Sequence, residues 1–317
     1  MNPQHCIAVF GEALVDDFGT EQVVGGAPFN LARNLAAFGM APLMITRIGR
    51  DGNGAKVLAE FERFGMRVDG VQSDLSEPTG RVVVEREAGG GGHRFIILPD
   101  QAYDHIEPGP ALAALCATAP AMLYFGTLAQ RRPTSYASLQ ALLATSPAKR
   151  FLDLNVREGQ VTERCVYESL RQADIVKVNE EELKDLFNWY THTSPGTDSI
   201  DSPALRAACA MLIRIFALEG LIVTLGPRGA AWFGADGAIE FSPGSATPPP
   251  LVDTVGAGDA FAAVFLYGRA QDWPLALTLA RANDFAGAVC GIAGAVAPQL
   301  AFYESWLARW QASGSPI

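Results

Sequence analysis

The chain has 317 residues, 49% of them hydrophobic, and a formal net charge of −10. That length suits one large α/β domain, or one domain with a small appendage. No apolar run approaches the ~18 residues of a membrane helix without a charge or a breaker, and no Lys/Arg cluster offers a nucleic-acid surface, so neither membrane nor nucleic acid is an expected partner.

Residues 1–10 lack a basic region and a cleavage site, so no signal peptide is expected. The five cysteines are scattered, and no pair forms a C-x-x-C motif. They read as small apolar residues in a reducing, cytoplasmic compartment.

In chain order, residues 6–10 are apolar and predict a buried strand. Residues 13–24 are mixed and predict strands away from the core. Gly25-Gly26-Ala27-Pro28-Phe29-Asn30 predicts a turn into a helix that Gly39 ends. A strand at 42–48 and a helix at 55–64 follow. Residues 79–87 and 94–98 are β-rich runs joined by a glycine-rich loop at 88–92, which predicts a small antiparallel appendage. Strands are then expected at 121–128, 150–154, 175–178 and 221–225, with helices at 133–145, 162–172, 180–187 and 203–218 between and around them. A hairpin at 230–241 turns at Asp236-Gly237, and closing helices are expected at 274–291 and 300–311. Repeated βα units imply a mostly parallel sheet with helices on both faces. Ligands of such sheets bind beyond the carboxyl ends of the strands.

The stretch Asp253-Thr254-Val255-Gly256-Ala257-Gly258-Asp259-Ala260-Phe261 passes from a loop into an apolar helix at 260–271. Gly256, Ala257 and Gly258 therefore stand where a helix begins. Small residues there allow close backbone approach, and first-turn N–H groups with the helix dipole favour an anion, foremost phosphate. Asp259 falls in the first turn, where a carboxylate can take a proton from a hydroxyl. A bare G-x-G-D also reads as a tight loop with an aspartate cap. Anion site and base side by side suit phosphoryl transfer to an alcohol. The Gly25-Gly26 turn before Asn30 reads either as an ordinary tight turn or as a site for a polyhydroxylated ligand. Asn179 and Glu182 are i, i+3 after a strand and share a helical face, a pattern that also marks a plain acidic first turn. P-loop, zincin and nucleophile-elbow motifs are absent.

The nine residues from Asp253 resemble the signature of the ribokinase-like, PfkB-type sugar kinases. They are followed by Val264, where that signature usually has a small residue. Gly25, Gly26, Asn30, Ala32, Gly39 and Gly49 are similar to the family's first signature. The resemblance covers nearly the whole chain. It implies a ribokinase-like three-layer α/β/α fold with a mostly parallel central sheet. Residues 1–317 would form a single kinase domain with a small discontinuous β lid from about 13–24 and 79–105. It implies Asp259 as catalytic base, with the N–H groups of Gly256, Ala257 and Gly258 on the transferring phosphoryl group. Asp16 and Asn30 would hold sugar hydroxyls and Gly26 would give close backbone approach, with Glu12 and Asp17 as further candidates.

Asn179 and Glu182 match the family's N-x-x-E element, which orients magnesium waters and phosphate, Glu182 through water. Thr224-Leu225-Gly226-Pro227-Arg228-Gly229 resembles a T-x-G-x-x-G loop in which Thr224, Gly226 and Gly229 line ATP. Asn283 and Gly294 match positions flanking the adenine. Asp253, the Val255 carbonyl and residues near Gly294 match a potassium-like cation site. ATP, Mg2+ and K+ are thus the implied cofactors.

Asp153-Leu154-Asn155-Val156-Arg157 and Gly25-Gly26-Ala27-Pro28 look like the fructokinase and 2-keto-3-deoxygluconate kinase branch. Arg157 is open to a sugar oxygen, a carboxylate or a nucleotide phosphate. Fructose is the expected substrate, because an acid sugar also needs an aimed cation, with Arg33, Arg94 and Arg157 the candidates. A ribose or nucleoside kinase ranks lower. A non-catalytic sugar-binding regulator is the reading from another class, against which an intact Asp259 argues. A homodimer through the lid is the expected assembly.

Overall fold

The computed structural model describes residues 6–86, 93–245 and 249–312. The Gly89–Gly92 loop and Pro248 lie outside the described residues. The chain divides into two compact units, one of Met1–Leu123 and Leu128–Ala148, the other of Tyr124–Thr127 and Lys149–Ile317.

In the first unit, β1 (Ile7–Phe10) is buried throughout. β4 (Leu43–Gly49) runs parallel to it, with Val9 opposite Met44. β5 (Val71–Asp74) adds to β4 in parallel, with Thr46 opposite Val71. A four-stranded sheet of order β3-β2-β6-β7 is formed by β2 (Leu14–Asp17), β3 (Gln22–Gly25), β6 (Gly80–Arg86) and β7 (His93–Ile97). It is the expected small appendage, but it is not wholly antiparallel: β2 pairs with β6 in parallel, Asp16 opposite Val82. Helices α1 (Ala27–Ala37) and α2 (Gly52–Arg63) meet through stacked Phe29 and Phe61, centroids 4.9 Å apart, a geometry worth about 0.5–1.5 kcal/mol beyond burial. Asp51 caps α2 by accepting from the Gly54 N–H. Two helices complete the unit, α3 (Pro108–Thr118) and α4 (Pro133–Thr145), and strand β8 (Met122–Phe125), which lies between them in the chain, is buried throughout.

The second unit holds β9 (Lys149–Asp153), β10 (Ile175–Asn179) and β11 (Gly220–Thr224), all parallel. β12 (Gly229–Gly234) and β13 (Ile239–Pro243) extend them as the expected hairpin. α5 (Glu163–Leu170), α6 (Glu180–Leu186) and α7 (Pro203–Phe216) connect the strands. α8 (Ala257–Ala270) is buried from Ala260 to Gly268, including Val264. It lies on the sheet through Phe265, whose ring is 5.8 Å from Phe151 and 6.1 Å from Trp232. This explains an apolar helix with no polar face: α8 is covered on one side by β9 and β12 and on others by α9 (Leu275–Val289). α10 (Leu300–Ala312) closes the described chain. Among the described residues no helix is long and apolar enough to cross a membrane.

Because β9, β10 and β11 are parallel, their carboxyl ends share an edge. The register sets Asp153 beside Lys177 and Asn179 beside Thr224.

Candidate active site

At that edge, Lys177 occupies the middle of β10 between apolar Val176 and Val178 and is buried. Its Nζ lies 2.8 and 3.0 Å from the two carboxylate oxygens of Asp153. The Tyr124 hydroxyl donates to Asp153 Oδ2 at 3.2 Å. Burial works to lower the Lys177 pKa. Asp153 above all, then Glu182 and Asp259, override it and hold the ammonium above the ordinary lysine value. Lys177 therefore stays charged.

Asn179 and Glu182 cap each other. Asn179 Oδ1 accepts from the Glu182 N–H and Glu182 Oε2 from the Asn179 N–H, each at 2.9 Å. Glu182 Oε1 also accepts from the Val156 N–H at 2.8 Å, which fixes the loop after β9. Burial pushes the Glu182 carboxyl up, against the pull of these N–H groups and of Lys177. Among the described residues no three His, Cys, Asp or Glu side chains could hold a metal ion together. Each Glu182 oxygen keeps acceptor capacity beyond its one backbone N–H. That donor set fits a water-mediated contact to a magnesium ion bound mainly by phosphates, and does not fit a protein cage.

The loop before α8 is set by Asp253. Its Oδ1 accepts from the Val255 N–H at 3.0 Å and its Oδ2 from the Gly294 N–H at 3.1 Å. These two bonds bring Asp253, Val255 and Gly294 together. Gly256 caps α8 with φ 78°. A methyl there would fall 2.4 Å from the Cα and Cβ of Ala295, so only glycine fits. The Ala257 N–H is directed at the Thr254 carbonyl at 3.3 Å, a long bond that a phosphate oxygen can outcompete. Gly258 is exposed and Asp259 half-buried in the first turn. A methyl on Gly258 would lie 3.4 Å from Lys177 Nζ, so the start of α8 abuts the Lys177–Asp153 pair.

Thr224 ends β11, its hydroxyl donating to the Val178 carbonyl at 3.3 Å. The following turn closes with the Leu225 N–H on the Gly229 carbonyl at 2.8 Å. Arg228 does not stand free in this turn. It pairs with Glu180 and donates to the Thr197 carbonyl at 2.8 Å, and its hydrogen bond is the largest cause of a lowered Glu180 pKa. Asn283, in α9, donates to the Ser242 carbonyl at 3.0 Å and ties that helix to β13. Arg157 is exposed in the loop after β9, with no ion pair among the described residues.

The expected sugar residues belong to the first unit. Asp16 is half-buried on β2, and its register with Val23 and Val82 puts these three on one sheet face. Asp17 lies on the other face, held by Gln22 at 2.8 Å and by Arg81 at 2.7 Å. Gly26 caps α1 with φ 103°, and a methyl there would fall 2.6 Å from the Glu12 carbonyl oxygen. Asn30 is buried one turn on, its Oδ1 accepting from Arg33 at 2.6 Å. Arg33 also pairs with Glu60 at 2.7 Å and donates to the Val24 carbonyl at 2.8 Å. Its guanidinium is committed, which removes it as a carboxylate ligand and fixes the Asn30 amide.

Lys177 and Tyr124 were given no role from the sequence, and Asp153 only a place in the stretch that resembles the fructokinase-like branch. The available signal was a lysine inside the apolar run Ile175-Val176-Lys177-Val178, since lysine is almost never fully buried unless paired.

Residues 4–301 match the model of the pfkB family of carbohydrate kinases. A fructokinase of Klebsiella pneumoniae is 29% identical over 281 residues, 83% of this chain and 84% of its own length. Among solved structures, a fructokinase from Xylella fastidiosa with bound ATP superposes with a TM-score of 0.80 at 22% identity, covering 97% of this chain and 99% of that one. A 2-dehydro-3-deoxygluconokinase from Thermotoga maritima does so with 0.78 at 18% identity, covering 98% and 99%. At these identities the two structures speak for the fold.

Proposed function

We propose, for a chain that belongs to the PfkB family of carbohydrate kinases, that its reaction is transfer of the ATP γ-phosphoryl group to a hydroxyl of fructose, with Asp259 as base. The chain is an ATP-dependent sugar kinase; the sugar and the residue roles are the proposal. The observation that carries it is the start of α8, where a left-handed Gly256, an exposed Gly258 and the Asp259 carboxylate occupy one turn beside a buried cation. Backbone N–H groups there are fixed dipoles for charge developing on the phosphoryl group. Magnesium, bound by the ATP phosphates and met through water by Glu182, would neutralise the same charge. The Thr224–Gly229 turn and Asn283 serve ATP in this reading. Asp253, with Val255 and Gly294, supports a potassium-like ion or takes its place in holding the loop.

Asp16, Gly26 and Asn30 serve the sugar. A neutral ketohexose needs both donors and acceptors, which the Asp16 carboxylate and the Asn30 amide supply. Support for fructose comes also from the Klebsiella relative and from the commitment of Arg33 to Glu60. The exposed Arg157, in no ion pair among the described residues, favours a second reading, phosphorylation of 2-keto-3-deoxygluconate. ADP release with a sugar panel, followed by kcat/KM for both sugars, decides between them. We expect fructose to be preferred. A tenfold or greater preference for the acid sugar, lost on Arg157→Ala, overturns fructose and leaves the kinase standing.

The four-stranded sheet acts as a lid on the sugar in this reading, within one kinase domain, and a second copy would pair through the same sheet, which exposes Val23 and Phe95. Fructose is expected to slow hydrogen exchange in β6 and β7. Unchanged protection there on binding sinks the lid.

A further inference from the structure

Strand β10 buries a charged residue that the fold does not need. Ile175, Val176 and Val178 are buried as a core strand requires, yet Lys177 is buried among them. An ion pair in such a place is often no better for stability than an apolar pair of similar volume. The Lys177 ammonium has three protons, and two are accounted for by Asp153 at 2.8 and 3.0 Å. Asp153 is in turn held by the Tyr124 hydroxyl at 3.2 Å. Its two oxygens receive Lys177 from one direction, so the pair is an oriented dipole with a defined positive end. That end reaches the first turn of α8, since Nζ would stand 3.4 Å from a methyl on Gly258. The ammonium also lies in the fields of Glu182 and Asp259, the carboxylates assigned above to magnesium water and to proton abstraction.

We propose that Lys177, aimed by Asp153 and Tyr124, presents its third N–H beside Gly258 to the phosphoryl group in flight. The inference rests on the kinase reading and deepens it. Lys177 touches the transferring group; Asp153 and Tyr124 are positioning residues. The sugar oxygen bonds to the γ-phosphorus as the bond to the β,γ-bridging oxygen breaks. The hydroxyl proton goes to Asp259, the electron pair leaves with ADP, and Lys177 keeps its proton throughout. A cation that meets the phosphoryl oxygens only as their charge rearranges lowers the barrier without tightening substrate binding.

The test compares wild type, Lys177→Arg, Tyr124→Phe and the neutral pair Lys177→Met with Asp153→Asn, which leaves no buried charge uncompensated. Steady-state kinetics use MgATP and the sugar the panel selects. Calorimetry measures binding of ADP alone and of ADP with magnesium, aluminium fluoride and sugar, a mimic of the group in flight. We expect the neutral pair to lose about tenfold or more in kcat, with both KM values moving less than about threefold. It should lose a similar factor in affinity for the fluoride complex and almost none for ADP alone. Lys177→Arg should recover part of kcat, and Tyr124→Phe should lose less than the neutral pair. A folded neutral pair with kcat within twofold of wild type overturns the proposal. So does an equal loss of affinity for ADP and for the fluoride complex, the pattern of a merely structural pair. If the neutral pair does not fold, Lys177→Arg and Tyr124→Phe carry the same comparison, and a kcat unchanged in both overturns the proposal. A wild-type enzyme that releases no ADP with any sugar fails the kinase reading itself, and the role of Lys177 with it.

Discussion

Asp259→Asn is expected to lower kcat by about 10²–10⁴-fold and to leave binding of ATP and sugar largely intact. The carboxylate occupies the first turn of α8, three residues past a left-handed cap and half-buried. Asparagine has nearly the same shape but cannot accept the hydroxyl proton. The loss of a charge near a helix N-terminus costs about 0.3–1 kcal/mol of stability. That is too little to unfold a protein whose α8 is buried from Ala260 to Gly268. The expected signature is thus a large fall in kcat with an almost unchanged melting temperature and unchanged ATP affinity. A variant that keeps more than half of wild-type kcat removes Asp259 from the role of base.

The elements legible in the sequence were those whose pattern is local. α8 and its glycine-rich start could be read because loop formers, small residues and an apolar run follow one another within 20 residues. β9, β10 and β11 could be read as short apolar runs between helical ones, and parallel pairing then placed their last residues on one edge. α3 was missed because Pro108-Gly109-Pro110 opens it and Ala and Leu surround it on every side, so neither breaker logic nor amphipathic period marks it. β5 was missed because Val71-Gln72-Ser73-Asp74 is mostly polar and becomes a strand only through its register on β4. The β2–β6 parallel pairing joins segments more than 60 residues apart, and no local signal carries it.

The candidate site divides in the same way. Backbone roles were legible, since Gly26 and Gly256 both take left-handed conformations against neighbours that exclude a methyl. Side-chain partnerships were not. Arg33 reads as a helix residue one turn from Asn30, and only tertiary packing brings Glu60 to it, 27 positions away. Asp153 and Lys177 are 24 positions apart and meet only because β9 and β10 are adjacent and in that register. Arg228, the one charged residue in its loop sequence from Thr224 to Gly229, is bound to Glu180. Charges were visible from the sequence, but which charge neutralises which is a property of the fold.

Gly256→Ala is expected to cost about 10²-fold in kcat, the loss that follows a misplacement of about 1 Å in a group aligned for reaction. Two effects combine at this position. The residue sits at φ 78°, where a side chain strains the backbone by about 1–3 kcal/mol. The added methyl also meets Ala295 at 2.4 Å from Cα and 2.7 Å from its carbonyl oxygen, and backbone atoms cannot swing aside as a flexible side chain can. The loop must therefore move, and with it the N–H groups at the start of α8 and the Asp253 clamp to Gly294. Gly237→Ala separates the two effects. Gly237 has φ 82° in the β12–β13 hairpin and nothing within 4 Å of an added methyl, so it reports strain without collision. We expect Gly237→Ala to lower the melting temperature by a few degrees at most and to keep kcat. Gly256→Ala should lower both, and also raise KM for ATP. If Gly256→Ala keeps kcat within threefold of wild type and loses no more stability than Gly237→Ala, the start of α8 is not the phosphoryl site, and the anion must be held elsewhere on the edge formed by Asp153, Asn179 and Thr224.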